Sequence, residues 1–261
     1  MAQLLLKSIF RLLIGKDQLD LYENLDWENQ SDRFRQPELV YPDYYSTQNF
    51  HGIEGGYLNA VAAVTYDAVT AFASPPSETK VRQELLCRIE GQPSKILDLG
   101  CGTGSSTLML TQAFPHAKVV GLDLSPYMLV MAQHKAKQAG LNIDWHHGLA
   151  EATSFTDSSF DLVSTSFLFH EMPPQISQLV IKECFRLLKP GGQLLILDGN
   201  QKILRHADLL IKLFREPYSQ VYAAESVDAW LKETNFEQVK TDYVGWIVQV
   251  TKGVKMTAKN K

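Results

Sequence analysis

The residue pattern predicts an α/β protein: a doubly wound, mostly parallel sheet with an antiparallel C-terminal strand, preceded by a helical N-terminal arm. Three observations carry this. From Lys95 onward, short apolar runs alternate with helix-length segments, which is the pattern of βαβ units. The runs Ile96-Leu97, Val119-Val120, Leu162-Val163 and Leu194-Leu195-Ile196 are continuously apolar, as a sheet covered on both faces requires. Near the C-terminus two strand-like segments meet at Gly245 with no room for a crossover, so they must pair antiparallel.

The elements follow in order. Leu4, Leu5, Leu6, Ile9, Phe10, Leu12, Leu13 and Ile14 crowd a short segment, with Lys7, Ser8 and Arg11 together on a helical wheel and Gly15 as its end. The segment is too short and too charged to span a bilayer, and no small-residue cleavage site follows it. Two readings stand: a helix packed on the domain or on a second subunit, or a helix lying in a membrane surface. Residues 18–49 are polar and Tyr-rich, punctuated by Pro37 and Pro42, and read as a loop-rich arm. Gly56 to Phe72 reads as a mostly buried helix ended by Ser74-Pro75-Pro76, and Ser77 can cap the next.

Lys95–Leu99 is the first strand, Ser105–Phe114 a helix stopped by Pro115, and Lys118–Asp123 the second strand. Ser125-Pro126 is a helix start, a serine cap followed by proline in the first turn, and Gly140 closes that helix. Ile143–His147 and Phe160–Phe167 are the third and fourth strands, and Gln175–Leu188 is a helix. Lys189-Pro190-Gly191-Gly192 has the composition of a turn, and Leu194–Leu197 is the fifth strand. Val227–Thr234 reads as a helix, followed by strands Phe236–Val244 and Trp246–Thr251. The chain divides into an N-terminal helix and arm (1–76), a ligand-binding domain (77–252) and a basic tail (253–261).

The 261 residues are 45% hydrophobic and 21% charged, enough for a full core without staples. A net charge of -4 argues against a nucleic-acid partner. Cys87, Cys101 and Cys184 are odd in number and scattered, so neither a disulfide framework nor a cysteine-rich metal site is expected, and a reducing, cytoplasmic setting fits. His146-His147 does not change this, because neighbours on a strand face opposite sides.

The chemistry concentrates after the first strand. Asp98-Leu99-Gly100-Cys101-Gly102-Thr103-Gly104 joins strand to helix, where glycines let a ligand approach backbone and the helix offers free N–H groups. About twenty residues on, Asp123 ends the second strand at the spacing of a ribose-binding acid. The dinucleotide fingerprint G-x-G-x-x-G would need its last glycine at position 105, where Ser105 stands. Asp98 at the loop entrance suits an ammonium group better than a pyrophosphate.

These residues resemble the motifs of class I S-adenosylmethionine-dependent methyltransferases. Ile96–Gly104 looks like their first motif and Gly121-Leu122-Asp123-Leu124-Ser125 like their second. Gly148-Leu149-Ala150-Glu151 with Phe155 to Val163, and the stretch Leu188–Leu194, look like those that follow. The likeness is strongest to the quinone-biosynthesis and small-molecule branch, and it implies a Rossmann-like fold, S-adenosylmethionine as cofactor, no metal, and a small-molecule acceptor. It implies that Asp98 and Gly100 face the methionine part, bordered by Gly102, Thr103 and Gly104. Asp123 would hold the ribose, Leu124 and Met128 would pack on adenine, and Ala150 would give it a backbone N–H. The acid often found before that alanine is replaced by Leu149, with Glu151 or a backbone carbonyl as substitute. Tyr66, in the pair Tyr66-Asp67, would close over the methionine end.

The end of the fourth strand, Phe167-Leu168-Phe169-His170-Glu171-Met172-Pro173, should abut the transferred methyl. A histidine near its ordinary pKa suits a base for a hydroxyl acceptor, so His170 is the candidate base and Glu171 its charge partner. The aromatic arm, Tyr41, Tyr44, Tyr45, Phe50, His51 and Tyr57, suits a lid over an apolar or aromatic acceptor. O-methylation is favoured over C or N. Two other readings remain: a non-catalytic module that binds the cofactor, and an NAD(P)-dependent oxidoreductase.

Overall fold

The computed structural model describes residues 16–73, 77–209, 211 and 215–256. The N-terminal apolar segment, the Ser74-Pro75-Pro76 break and the last five residues of the tail lie outside the described residues.

Among the described residues one seven-stranded sheet forms the centre, in the order β3-β2-β1-β4-β5-β7-β6. Its strands are β1 (Lys95–Leu99), β2 (Lys118–Asp123), β3 (Asp144–His147), β4 (Phe160–Ser166), β5 (Leu188–Gly199), β6 (Glu237–Val244) and β7 (Val248–Val254). The first five pair in parallel. β7 inserts antiparallel between β5 and β6. The order reverses beside β1, so the loops leaving the carboxyl ends of β1 and β4 diverge and leave a crevice there.

The covering helices arise from the signals in the sequence. Ser77 Oγ accepts from Lys80 N–H at the start of α5 (Glu78–Leu86), which follows α4 (Ala60–Ala73). Ser125 Oγ caps α7 (Pro126–Gln138) through Met128 N–H, and Gly140 ends it at φ +66°. Between them α6 (Ser105–Ala113) leaves the glycine loop. α8 (Pro174–Leu187) buries Val180, Ile181, Cys184 and Leu187 against the sheet.

Three differences from the sequence pattern have local causes. α4 begins four residues later than the apolar pattern starts, because Asn59 Oδ1 accepts from Ala62 N–H at 3.0 Å and its amide donates to Gly56 O. The Lys189–Gly192 segment is part of β5, not a free turn. Gly191 N–H donates to Lys255 O and Lys255 N–H donates to Gly192 O, while the register against β4 shifts between Phe160 and Leu162. The arm carries short helices, α1 (Lys16–Asn24), α2 (Trp27–Asp32) and α3 (Asp43–Ser46). The arm docks through buried Trp27, Phe50 and Tyr57 onto Tyr127, Met128 and Met131 of α7. After β5 come α9 (Gln201–Leu204), α10 (Ser219–Ala224) and α11 (Val227–Glu233).

One polar network lies inside. Arg82 is 5% exposed and pairs with Glu78 Oε1 at 2.7 Å. It donates to Ser106 Oγ and lies 5.3 Å from the ring centre of Phe167. Removing one partner of a buried ion pair leaves an uncompensated charge. Arg82→Met is therefore expected to lower unfolding free energy by about 3–5 kcal/mol in a denaturant titration. A loss under about 1 kcal/mol would mean that the cation does not hold this region together.

Candidate active site

The glycine loop is locked to β2. Gly100 and Cys101 N–H both donate to Leu122 O. Asp123 Oδ2 accepts from Gly102 N–H at 2.7 Å and its Oδ1 from Ser125 N–H at 2.8 Å. One carboxylate thus joins the loop, the strand end and the start of α7. Gly100 has φ +70°, and a Cβ there would lie 2.7 Å from Leu168 Cδ1. Gly104 has φ +80° and meets the Trp145 ring in the same way, so the loop can take this path only with glycine at both places.

Above the loop is a cavity. Gly100, Gly102, Leu122, Asp123, Leu124, Met128, Gly148 and Ala150 form one side, and Tyr44, Tyr45, Tyr57 and Tyr66 the other. The charged side chains among its lining residues are Asp123 and Glu171, with no cation. Such a wall repels a pyrophosphate and attracts a cationic nucleoside. Asp123 is pushed up to about 6 by burial, against the N–H bonds that favour its ionised form.

A second cavity shares Tyr66, Phe167 and Glu171 with the first. Val69, Leu204, Ile211, Ile247 and Val248 give it apolar walls, and His51, His170, Glu171 and Glu216 supply its charge. Phe167 adopts φ +57°, unusual for a bulky residue, at the boundary between the cavities. Glu171 Oε1 accepts from Tyr57 Oη at 2.7 Å and lies 3.2 Å from His51 Nε2 and 3.6 Å from His170 Nε2. Burial pulls the Glu171 pKa up, but His51, His170 and Tyr57 hold it below the ordinary value. Its Oε2 is buried and has no hydrogen-bond partner.

The surroundings of His170 bear on the expectation of a histidine near its ordinary pKa. Nδ1 of His170 lies 2.6 Å from Asp198 Oδ1, at the end of β5. Burial lowers the His170 pKa, but Asp198 foremost, with Glu216 and Glu171, raises it to about 10. A shift in this direction favours the charged ring at neutral pH.

Gly100, Gly102, Asp123, Leu124, Met128, Ala150, Tyr66, Phe167 and Glu171 line the first cavity, and His170 the second. Asp98, Thr103, Gly104 and Glu151 lie outside both linings. Asp98 is buried under the loop, where Thr107 Oγ1 and Ser164 Oγ donate to it. Thr103 Oγ1 donates to Asp67, which also pairs with Lys135 at 2.7 Å. Glu151 accepts from Tyr44 Oη at 2.8 Å, which draws it to the arm.

The sequence reading missed Asp198, Arg82 and Glu216. Asp198 carried a signal, an acid closing an apolar strand just as Asp123 does. His147 is buried, accepting at Nδ1 from Gln36 N–H and reaching Leu124 O with Nε2, whereas His146 is partly exposed. Among the described residues no three His, Cys, Asp or Glu side chains are grouped to hold a metal, and no helix is long and apolar enough to cross a membrane.

A glycine loop, a ribose-spaced acid and a cavity lined by two acids meet at a topological switch point, the place where α/β proteins of the doubly wound class bind their ligands. Residues 96–192 match a family described as a methyltransferase domain. The chain is 35% identical over 137 residues to the demethylmenaquinone methyltransferase of Thermus thermophilus, covering 52% of this chain and 61% of that one. It is 37% identical over 142 residues to the protein of that name from Geobacillus stearothermophilus, covering 53% and 60%. The chain thus spans about three fifths of the length of these relatives. A putative S-adenosyl-L-methionine-dependent methyltransferase from Methanococcus maripaludis shares the fold at TM-score 0.62 and 17% identity, covering 78% of this chain and 96% of that one. The phosphoethanolamine N-methyltransferase 2 of Haemonchus contortus, solved with S-adenosyl-L-methionine, does so at TM-score 0.60 and 15% identity, covering 85% and 62%.

The His170–Asp198 pair makes a prediction with a definite sign. The folded pKa is raised, so the pair's contribution to stability is complete below the unfolded value near 6.5 and is lost as pH climbs towards 10. Nitrogen-15 NMR is expected to find the ring doubly protonated from pH 6 to 8, and Asp198→Asn to lower its pKa. A wild-type ring titrating near 6.5 would remove the ion pair from the description.

Proposed function

We propose that the protein transfers a methyl group from S-adenosylmethionine to a small molecule held in the second cavity. The observation that carries this is the first cavity, where Asp123 closes β2 beside the glycine loop and no cation lines the wall. When bound there, S-adenosylmethionine supplies an electrophilic methyl on a sulfonium, and its net positive charge complements Asp123 and Glu171. Asp123 keeps free lone pairs for the ribose hydroxyls after its two backbone bonds. Leu124 and Met128 pack on the adenine, and Gly148 and Ala150 offer it backbone groups. With Glu151 drawn to Tyr44, backbone takes the place of the acid missing at Leu149. Tyr66 and Phe167 border the methionine end. The buried Asp98 acts through the loop that it supports.

The second cavity supports an apolar or aromatic acceptor, because Val69, Leu204, Ile211, Ile247 and Val248 line it together with the rings of Tyr66 and Phe167. The relatives are demethylmenaquinone methyltransferases, which supports a hydroxylated ring of quinone-like size. A hydroxyl acceptor is favoured over carbon or nitrogen, since His51 and His170 of this cavity lie beside Glu171, where it meets the first. Tyr44, Tyr45 and Tyr57 of the arm exclude water from the junction.

Calorimetry tests the cofactor. S-adenosylmethionine is expected to bind in the micromolar range, typical of substrate-level affinities, and NADH not to bind. Asp123→Ala is expected to weaken binding at least about tenfold, or ~1.4 kcal/mol, with folding checked by thermal melting. Because Asp123 titrates at about 6, wild-type affinity should hold above that pH and fall by up to about tenfold per unit below it. A folded wild type that ignores S-adenosylmethionine would end the methyltransferase reading.

A further inference from the structure

The carboxylate of Glu171 is the one charged group common to the two cavities. Its surroundings are asymmetric. Oε1 is taken up by Tyr57 Oη and His51 Nε2, and His170 is close by. Oε2 is shielded from solvent, on a side chain only 10% exposed, and receives nothing. A buried acceptor on an ionised carboxylate costs several kcal/mol if it stays unpaired, so proteins leave such atoms where a ligand or water completes them. His51 Nδ1 is also buried without a partner. His51 sits at φ +53° and is followed by Gly52, whose hydrogen faces the Arg215 side chain at a distance that a Cβ could not keep. The backbone there is held in an uncommon shape that brings the imidazole to Glu171.

We propose that Glu171 presents Oε2 to the acceptor atom itself, and that the acceptor is a neutral nucleophile carrying an O–H or N–H. The inference rests on the methyltransferase reading. In the transfer the acceptor's lone pair forms the bond to the methyl carbon, the carbon–sulfur pair goes to sulfur, and positive charge moves to the acceptor atom, whose extra proton leaves to water with the product. A fixed anion beside the acceptor is worth more after that charge has moved than before it, which is differential stabilisation of the transition state. The same oxygen accepts the acceptor's hydrogen and so aims the lone pair. His51 Nδ1 is left for a second polar group on the acceptor. An acceptor that reacts as a preformed anion, such as a free carboxylate or thiolate, is repelled from this position.

The test needs no acceptor. Sinefungin carries an amine where the cofactor has its sulfonium methyl, and S-adenosylhomocysteine has nothing there. The wild type is expected to bind sinefungin at least about tenfold more tightly than S-adenosylhomocysteine in calorimetric titration. Glu171→Gln should reduce that ratio to within about twofold while S-adenosylhomocysteine affinity stays within about threefold of wild type. Equal wild-type affinities for the two overturn the proposal, and that ratio stands on its own if the variant fails to fold. A preference that survives in folded Glu171→Gln overturns it too, by assigning the amine to another group. Failure of both compounds to bind the folded wild type overturns the underlying methyltransferase reading, and the acceptor proposal with it.

Discussion

Four buried or nearly buried carboxylates crowd the carboxyl end of the sheet. Asp98, Asp123 and Asp198 belong to β1, β2 and β5, and Glu171 lies just beyond β4. Anions at this density are tolerable only if each is compensated, because taking an unpaired charge out of water costs more than a domain's whole stability. The compensation comes from neighbouring loops and helices, some near in the chain and some far. Hydroxyls of Thr107 and Ser164 serve Asp98, backbone N–H groups serve Asp123, His170 serves Asp198, and Tyr57 with His51 serves Glu171. The loops around the crevice are therefore arranged as much by these anions as by the apolar core behind them.

How fully each carboxylate is satisfied sorts their roles. Asp98 has a hydroxyl donor on each oxygen and no access to either cavity, so it serves the loop that covers it. Asp198 accepts from Phe169 N–H, Gly199 N–H and His170, and its charge is spent on fixing the segment after β4. Asp123 is intermediate, with one backbone donor per oxygen and a face on the cavity. Glu171 is the least satisfied, with all its partners on one oxygen. Ligand-directed capacity rises along this series as protein-directed bonding falls, and the ligand that suits the two incomplete members is a cation bearing hydroxyls.

Much of the fold was legible because its signals are local. Ser125-Pro126 and Ser77 name helix starts by capping chemistry, and continuous apolar runs name covered strands. Lys189–Gly192 misled because proline and glycines also suit a bulge, and the bond partner at Lys255 lies far along the chain. The site was legible where a role depends on spacing, as for Asp123, and opaque where it depends on tertiary neighbours. Nothing around Arg82 in its polar helix announces burial under Phe167. His170 had the residue type of a base, but its pKa is decided by Asp198, 28 positions away.

The arm is more than a cover over this crevice. Tyr57 gives Glu171 a hydroxyl, its carbonyl accepts from Ser125 Oγ at the start of α7, and its ring stacks on Phe50 at 4.9 Å. His147, in the form that accepts from Gln36 N–H, must carry its proton on Nε2, which it can give to Leu124 O. The arm is thus bolted to both sides of the first cavity, at Leu124 and at Glu171. If it lifted, water would reach Glu171, and the carboxylate would lose both Tyr57 and His51 together. The charge that faces the junction exists in its present form only with the arm in place. The contacts that cover the cavity and those that set the charge at Glu171 are consequently the same ones, so the arm and the glycine loop shape the crevice together.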